Sequence, residues 1–239
     1  RRRFVDMQLS QIRPGYVRAL KTYLSVLESR NALLRQDKLQ GVTDFANQLD
    51  AWDEQLANAA VPIVRSRRWF LRELSENSSR EYAAISENPD EPFSLFYVGP
   101  LAQSDAPYEQ MLAGLRRNRE EDRRRMYTTF GPHRDDVSLQ LFGRDLRAMG
   151  SQGQLRTAVL SMKLGEIRLI EKEMGESPTL LLDDVFSELD AKRRNALFKS
   201  AAPLQTFITC TDRQDAAGAR ADCFLRVTPT PDGTVLSRE

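Results

Sequence analysis

A short apolar run that ends in two adjacent carboxylates, Leu180-Leu181-Leu182-Asp183-Asp184, constrains the fold more than any other feature of the sequence. A run of this kind is typical of a strand buried in a sheet. Around it, the pattern predicts a helix from about Gln152 to Met174, a second helix after Asp190, and strands at 205–209 and 223–227. Because apolar strands here alternate with helices, we predict an α/β fold whose sheet is mostly parallel and flanked by helices.

The two carboxylates at the end of this strand suit phosphate chemistry. Asp183 is placed to hold Mg²⁺ through its water shell, because Mg²⁺ prefers oxygen ligands and keeps several waters. Asp184 is placed to orient and polarise the water that attacks a γ-phosphate. This is the Walker B arrangement of nucleotide hydrolases. The alternative is a strand end whose acidic side chains simply meet solvent.

The segment Gly150-Ser151-Gln152-Gly153-Gln154 precedes the predicted helix. Ser-x-x-Gln in front of a helix is an ordinary capping box, in which the side chains of Ser151 and Gln154 satisfy backbone amides. The same geometry also suits a phosphate, because a helix start offers unpaired N–H groups and Gly153 permits a close approach. One helix, one turn and one strand separate Ser151 from Asp183, and this order favours the phosphate interpretation.

The first third of the chain is predicted to be helical. Apolar residues recur in steps of three and four from Tyr16 to Arg35 and again from Asp44, which is the period of a helix face packed on a partner. Thr43 is the predicted N-cap of the second helix, and the segment 36–42 is short enough to join two antiparallel helices. Pro62 is expected to kink or restart the second helix. The prediction is a helical hairpin, which can also be a subdomain without chemistry.

The middle of the chain contains segments with the period of a strand and segments with the period of a helix. The patterns predict a strand at Phe93–Val98, a helix from Pro107 to Met126, and a β-hairpin from Val137 to Met149 around Gly143.

Cys210 and Cys223 are the only cysteines, which implies no disulfide framework and fits a reducing cytosol. No apolar run approaches the roughly 18 residues that a membrane helix needs, so no membrane partner is expected.

The order of these motifs resembles the second half of an ABC-type ATPase, and the resemblance to the RecF family is closer still. It implies an α/β ABC-type ATPase head with an inserted α-helical lobe. The lobe is expected at residues 1–126 and the C-terminal half of the ATPase core at residues 127–239. The resemblance covers essentially the whole chain and is carried by Arg1-Arg2-Arg3-Phe4-Val5-Asp6, Arg30-Asn31-Ala32-Leu33-Leu34, Phe130-Gly131-Pro132-His133-Arg134-Asp135-Asp136, Ser151-Gln152-Gly153-Gln154 and Leu182-Asp183-Asp184-Val185-Phe186-Ser187-Glu188-Leu189-Asp190.

The resemblance implies a nucleotide site that two subunits share. The signature segment of one subunit contacts ATP held by the other, Asp183 holds Mg²⁺, and Asp184 is the catalytic carboxylate. The implied residues are Ser151, Gln152, Gly153 and Gln154 in the signature, Ser187, Glu188, Leu189 and Asp190 in the D-loop, and Thr211 and Asp212 in the switch.

The function that the resemblance implies is that of a cytoplasmic, slow, DNA-stimulated ATPase of recombinational repair and replication-fork maintenance. Such proteins are expected to bind double- and single-stranded DNA, to dimerise on ATP, and to act with RecO and RecR in loading RecA at gapped DNA. Two alternatives stay open, a structural head of the SMC type and another ABC ATPase subunit. An SMC head needs long coiled-coil arms, whereas each helix predicted here has only about 20 to 30 residues.

Several features depart from the general ABC pattern. No Gly-x-x-x-x-Gly-Lys-Ser/Thr phosphate loop occurs, so we expect it upstream of Arg1 in a longer protein and expect this chain alone to be inactive. Gln152 stands where ABC transporters have glycine, although RecF-like proteins share the glutamine. Thr211 stands where transporters have the switch histidine. Asp184 stands where many have glutamate, which is consistent with slow hydrolysis.

Local charge decides any contact with nucleic acid, because the net charge is only +1. Arginines nevertheless cluster, and phosphate contacts need only local charge. The absence of a base-reading motif predicts sequence-independent binding. The alternatives are solvated charged faces and, for His133–Asp136, a structural ion-pair cluster. The candidates for DNA contact are Arg65, Arg67, Arg68, Arg116, Arg117, Arg123 and Arg124.

Overall fold

Helices dominate the computed structural model, which describes residues 1–86, 90–183, 185, 189–212, 221–230 and 233–238. Contacts divide the chain into two units, Arg1–Ser177 (unit 1) and Pro178–Glu239 (unit 2). Within the described ranges, no helix has an apolar stretch long enough to cross a bilayer.

Unit 1 places a small sheet among long helices. Its described strands are β1 (Phe93–Val98), β2 (Asp136–Leu141) and β3 (Arg144–Asp145). Its described α-helices are α1 (Arg2–Ile12), α2 (Pro14–Gln40), α3 (Phe45–Ile85), α4 (Pro107–Arg117), α5 (Arg119–Arg125), α6 (Leu146–Met149) and α7 (Gln152–Met174).

The predicted helical hairpin is confirmed as α2 and α3, which pack on each other across a connection at residues 41–44. Its apolar spacing buries one face of α3, where Leu56, Ile63 and Phe70 are fully buried. The predicted N-cap was wrong. Helix α3 begins after Asp44, whose left-handed backbone turns the chain there, and Thr43 instead accepts a hydrogen bond on its carbonyl from the Gln48 side chain.

Pro62 does not restart the second helix, because it lies inside α3, which is a single helix of 41 residues. A proline removes one backbone donor and disturbs the carbonyl four residues before it. Pro62 lies on the exposed side of α3, where water can satisfy that carbonyl, while Ala60, Ile63 and Val64 are buried around it. The length of α3 also exceeds the range expected from the sequence.

The sheet of unit 1 is antiparallel, with the order β1-β2-β3. Strand β1 buries every second residue, Phe93, Leu95 and Tyr97, and pairs with β2 from Phe93 opposite Leu141 to Val98 opposite Asp136. The predicted hairpin around Gly143 is confirmed as β2 and β3, although β3 is only two residues long. The chain leaves β3 because Asp145 caps α6, accepting hydrogen bonds from the amides of Arg147 and Ala148.

Helix α7 begins and ends where the sequence predicts, at Gln152 and Met174, with Gly175 in the left-handed conformation after it. It packs along α3, and Gly165 of α7 lies against Ser78 of α3. A Cβ added at Gly165 would lie 2.6 Å from the hydroxyl oxygen of Ser78 and 2.7 Å from its backbone nitrogen. The glycine therefore permits a backbone approach that any side chain would prevent.

Unit 2 contains β4 (Leu180–Leu182), α8 (Ala191–Ala201), β5 (Thr206–Ile208), β6 (Leu225–Thr230) and β7 (Gly233–Arg238). Strands β4 and β5 are parallel, with Leu181 opposite Phe207, as the sequence predicts. The predicted strand at 223–227 is found as β6, but its described partner is β7, and the pairing is antiparallel. The short connection explains the difference, because a few residues can join only antiparallel neighbours.

The predicted boundary between a helical lobe at 1–126 and an ATPase half at 127–239 stays a prediction. By contacts, β2, β3 and α7 lie in the same unit as α3, and the division falls between Ser177 and Pro178.

Candidate functional site

The start of α7 forms a complete capping box. The Ser151 hydroxyl oxygen accepts the Gln154 amide at 3.2 Å, and the Gln154 side-chain oxygen accepts the Ser151 amide at 2.9 Å. Ser151 and Gln152 are exposed, and Gly153 and Gln154 are partly buried. The capping interpretation is thus confirmed. It is compatible with anion binding, because the first amides of a helix have no partner within it and its dipole favours negative charge there.

At the carboxyl end of β4, the structure brings Asp183 together with Thr209. The Thr209 hydroxyl donates to Asp183 Oδ1 at 2.5 Å, and the Thr209 amide donates to the carbonyl of Leu182 at 2.9 Å. The Asp183 carboxylate is exposed and keeps further acceptor capacity, because two carboxylate oxygens offer about four lone-pair sites. These oxygens fit the ligand preference of a hydrated Mg²⁺.

Part of the predicted site lies outside the described residues, namely Asp184, Ser187 and Glu188. Leu189 is buried, and Asp190 caps α8 by accepting the Arg193 amide at 2.9 Å.

The predicted switch residues, Thr211 and Asp212, follow β5 and are exposed.

Arg67 is buried, so it cannot make the DNA contact that the sequence predicts. Its side chain is 3% exposed and pairs with Asp6 at 2.8 Å. It also donates to the Pro132 carbonyl at 2.6 Å and to Asp135 at 3.3 Å. Arg68 is only partly exposed and donates to two backbone carbonyls, those of Leu101 and Ser104. Both side chains therefore hold α3 against its neighbours.

The remaining candidates are exposed: Arg65, Arg116, Arg117, Arg123 and Arg124. Four of them lie on α4 and α5, where each contacts a neighbouring side chain. Arg116 is 4.0 Å from Asp50, Arg123 is 2.7 Å from Asp37, Arg124 pairs with Glu121, and Arg117 lies over the ring of Phe130. The surface pairs of Arg116 and Arg124 are weak, so these two guanidinium groups can exchange their partners for phosphate. Asp37 is buried, so Arg123 is held more firmly by its partner.

The segment at 130–136 is structural in this fold. His133 accepts the Tyr23 hydroxyl on Nδ1 at 2.6 Å and donates from Nε2 to the Thr128 carbonyl at 3.0 Å. Burial disfavours the charged ring and lowers the pKa of His133 to about 4, although the hydrogen bond to the Thr128 carbonyl acts in the opposite direction. Burial likewise raises the pKa of Asp135, although Tyr97 and Arg67 donate to its carboxylate.

Sequence reasoning missed the role of Arg30, which is completely buried. Its guanidinium pairs with Asp53 of α3 at 2.7 Å and with Asp122 of α5 at 2.8 Å, and it donates to the Thr128 hydroxyl at 2.8 Å. A signal was present, because Arg30 lies three residues after Leu27 and four before Leu34, within the apolar stripe of α2. A charge in such a stripe indicates a buried pair.

Comparison with known proteins shows that this chain is similar to RecF proteins. It is 43% identical over 217 residues to the DNA replication and repair protein RecF of Herpetosiphon aurantiacus, covering 90% of this chain and 56% of that protein. It is 41% identical over 216 residues to RecF of Alkaliphilus oremlandii, covering 88% of this chain and 58% of that protein. No protein-family model matches.

A solved structure of the recombination mediator protein RecF with ATP, in the RecFOR pathway, matches all of this chain. The TM-score is 0.84, the identity is 32%, and the match covers 62% of that chain. This chain belongs to the RecF family. The predicted fold class, an α/β head with a helical lobe, is confirmed as the fold of the RecF structure, although the described strand pairs are mostly antiparallel and not mostly parallel as predicted. The chain spans a little over half the length of the RecF proteins that it matches.

Proposed function

We propose that this chain is part of an ATP-dependent DNA-binding protein of recombinational repair and replication-fork maintenance. The observation that carries the proposal is the exposed capping box at Ser151, which opens α7 in a chain of the RecF family. In this proposal Ser151, Gln152, Gly153 and Gln154 contact ATP that a second subunit holds.

The carboxylates at the end of β4 serve hydrolysis in this proposal. Asp183 holds Mg²⁺ through water, with its orientation supported by Thr209. Asp184 orients the attacking water. When bound, Mg²⁺ would stabilise the negative charge that develops on the γ-phosphate. We assign the D-loop to Ser187–Asp190 and the switch to Thr211 and Asp212.

Contact with double- and single-stranded DNA is proposed for the exposed arginines of α4 and α5, together with Arg65. Their guanidinium groups reach phosphates and not base edges, so binding is expected to be independent of sequence.

The whole protein is proposed to work in the cytoplasm with RecO and RecR, loading RecA at gapped DNA. Its ATPase is proposed to be slow and DNA-stimulated, and this chain by itself to be inactive. An SMC-type head is not favoured, because α2 and α3 close on each other at residues 41–44 and form no extended arm.

A charge placed at the start of α7 tests the proposal. In the intact protein, we expect Ser151→Arg to weaken ATP-dependent dimerisation by on the order of 100-fold, because the bulk of the arginine side chain occupies the position of the phosphate. ATP binding by the monomer should be nearly unchanged. Light scattering with and without ATP measures dimerisation, and equilibrium binding of labelled ATP measures the affinity of the monomer for ATP.

Ser177→Arg is the matched control, since it makes the same change just beyond the opposite end of α7, where Ser177 is exposed. It should dimerise normally. Normal dimerisation of Ser151→Arg as well would remove the signature role from this segment.

A further inference from the structure

The Glu91 side chain connects the start of α7 with the end of α3. The Gln154 side-chain nitrogen donates to Glu91 Oε1 at 3.3 Å, and the Tyr82 hydroxyl donates to Glu91 Oε2 at 3.0 Å. Tyr82 is fully buried, and its ring stacks on Phe93 with centroids 5.0 Å apart. Glu91 is therefore held by a side chain that the core itself keeps in place.

The carboxylate of Glu91 determines which way the Gln154 amide faces. A primary amide has a donor end and an acceptor end, and a carboxylate can only accept. With the NH₂ group facing Glu91, the Gln154 oxygen faces the Ser151 amide, as the capping box requires. The reversed amide would set two acceptors against each other at Glu91 and two donors against each other at Ser151.

We infer that Glu91 is a positioning residue for the signature segment. It selects the amide orientation of Gln154, which closes the capping box, and the box holds Ser151 at the exposed start of α7. This inference rests on the proposed function of Ser151. It also connects α3 to the signature segment, because Tyr82 belongs to the last turn of α3.

A negative charge introduced at Gln154 separates this role from ordinary capping. Glutamate at this position is a favourable capping-box residue, and the helix dipole favours its charge, so Gln154→Glu alone should tighten the box. If Glu91 positions residue 154, however, the substitution sets two carboxylates against each other. We then expect the Ser151 amide of the intact protein to exchange with solvent about three- to tenfold faster.

The double variant Glu91→Gln with Gln154→Glu should restore the wild-type exchange rate. The new amide at position 91 can donate from its nitrogen to the new carboxylate at position 154, while its oxygen accepts the Tyr82 hydroxyl. The second carboxylate oxygen at position 154 then accepts the Ser151 amide. Glu109→Gln is the control for loss of an acid, because Glu109 is exposed on α4. It should leave the exchange rate unchanged in both the wild-type and Gln154→Glu backgrounds.

Hydrogen exchange at residues 150–155, measured without nucleotide, decides the outcome. Faster exchange in Gln154→Glu that Glu91→Gln reverses supports the inference. Unchanged or slower exchange in Gln154→Glu overturns it, and so does faster exchange that Glu91→Gln fails to reverse. Because no nucleotide is present, these results are independent of the dimerisation test on Ser151→Arg, so each hypothesis can fail separately.

Discussion

Arg65 and Arg67 stand two residues apart on α3, yet one is exposed and the other is buried against Asp6 and Asp135. Residues two apart on a helix point to different faces, so a cluster of arginines in the sequence need not be a cluster on the surface. Arg30 is also buried, unlike the exposed arginines, and its two carboxylate partners come from α3 and α5. The sequence shows the arginines, but partners this distant along the chain become visible only in the fold.

His133 should make stability depend on pH below neutrality. Its pKa is about 4 in the folded protein, below its ordinary value of 6.5, because burial disfavours the charged ring. The unfolded chain therefore takes up a proton first as the pH falls. Stability from this group is fully present above pH 6.5 and is lost between about pH 6.5 and 4, by up to roughly 3 kcal/mol.

Urea unfolding of the intact protein at several pH values between 7 and 4.5 measures this loss. His133→Asn, which can still accept the Tyr23 hydroxyl, should be about 1 kcal/mol less stable at pH 7 and should show a weaker pH dependence. His133 is the only histidine in this chain, and the comparison with His133→Asn cancels the contribution of any imidazole elsewhere in the intact protein. Equal pH dependence in the two proteins would contradict the neutral, buried ring.

At the scale of elements, α7 was predictable because its signals are local. Ser151 and Gln154 cap its start, and Gly175 ends it in a left-handed conformation. The course of α3 through Pro62 was not predictable, because packing of the buried residues around the proline decides it. The antiparallel pairing of β6 was missed for a different reason, since no strand was predicted after residue 227 and the short connection to β7 was therefore not considered.

The helices α4 and α5 should carry part of the affinity for DNA. We expect Arg116→Gln with Arg117→Gln to weaken binding to duplexes of unrelated sequence equally. The slope of log K against log salt should become shallower by about 0.9 for each phosphate that the variant no longer neutralises. Fluorescence anisotropy over a salt series measures both quantities.

Arg144→Gln is the control for that experiment, because it removes an exposed arginine on β3. It should leave both the affinity and the slope near their wild-type values. If the double variant kept the wild-type slope, α4 would not contact phosphate.

At the scale of the whole molecule, the chain contributes one half of a proposed composite site. The proposed signature lies in unit 1 and Asp183 lies in unit 2, while the RecF proteins that the chain matches are longer. Family membership accounts for the order of these motifs. The proposal adds that two subunits complete each other's nucleotide sites, which is a property of the dimer and not of one chain.

Mixing two inactive variants of the intact protein tests that claim most directly. Ser151→Arg lacks the signature contact, and Asp184→Asn lacks the group that orients water, so neither should hydrolyse ATP at more than about 1% of the wild-type rate. In a mixed dimer, the Ser151→Arg subunit supplies Asp184 and its partner supplies Ser151, which gives one complete site.

At a protein concentration high enough to dimerise Ser151→Arg, about half of the dimers in an equal mixture are mixed, and each has one complete site. Steady-state hydrolysis by the mixture should therefore recover to roughly a quarter of the wild-type rate. A mixture that stays as inactive as its two components would show that Ser151 and Asp184 do not act across the dimer, and it would contradict the account.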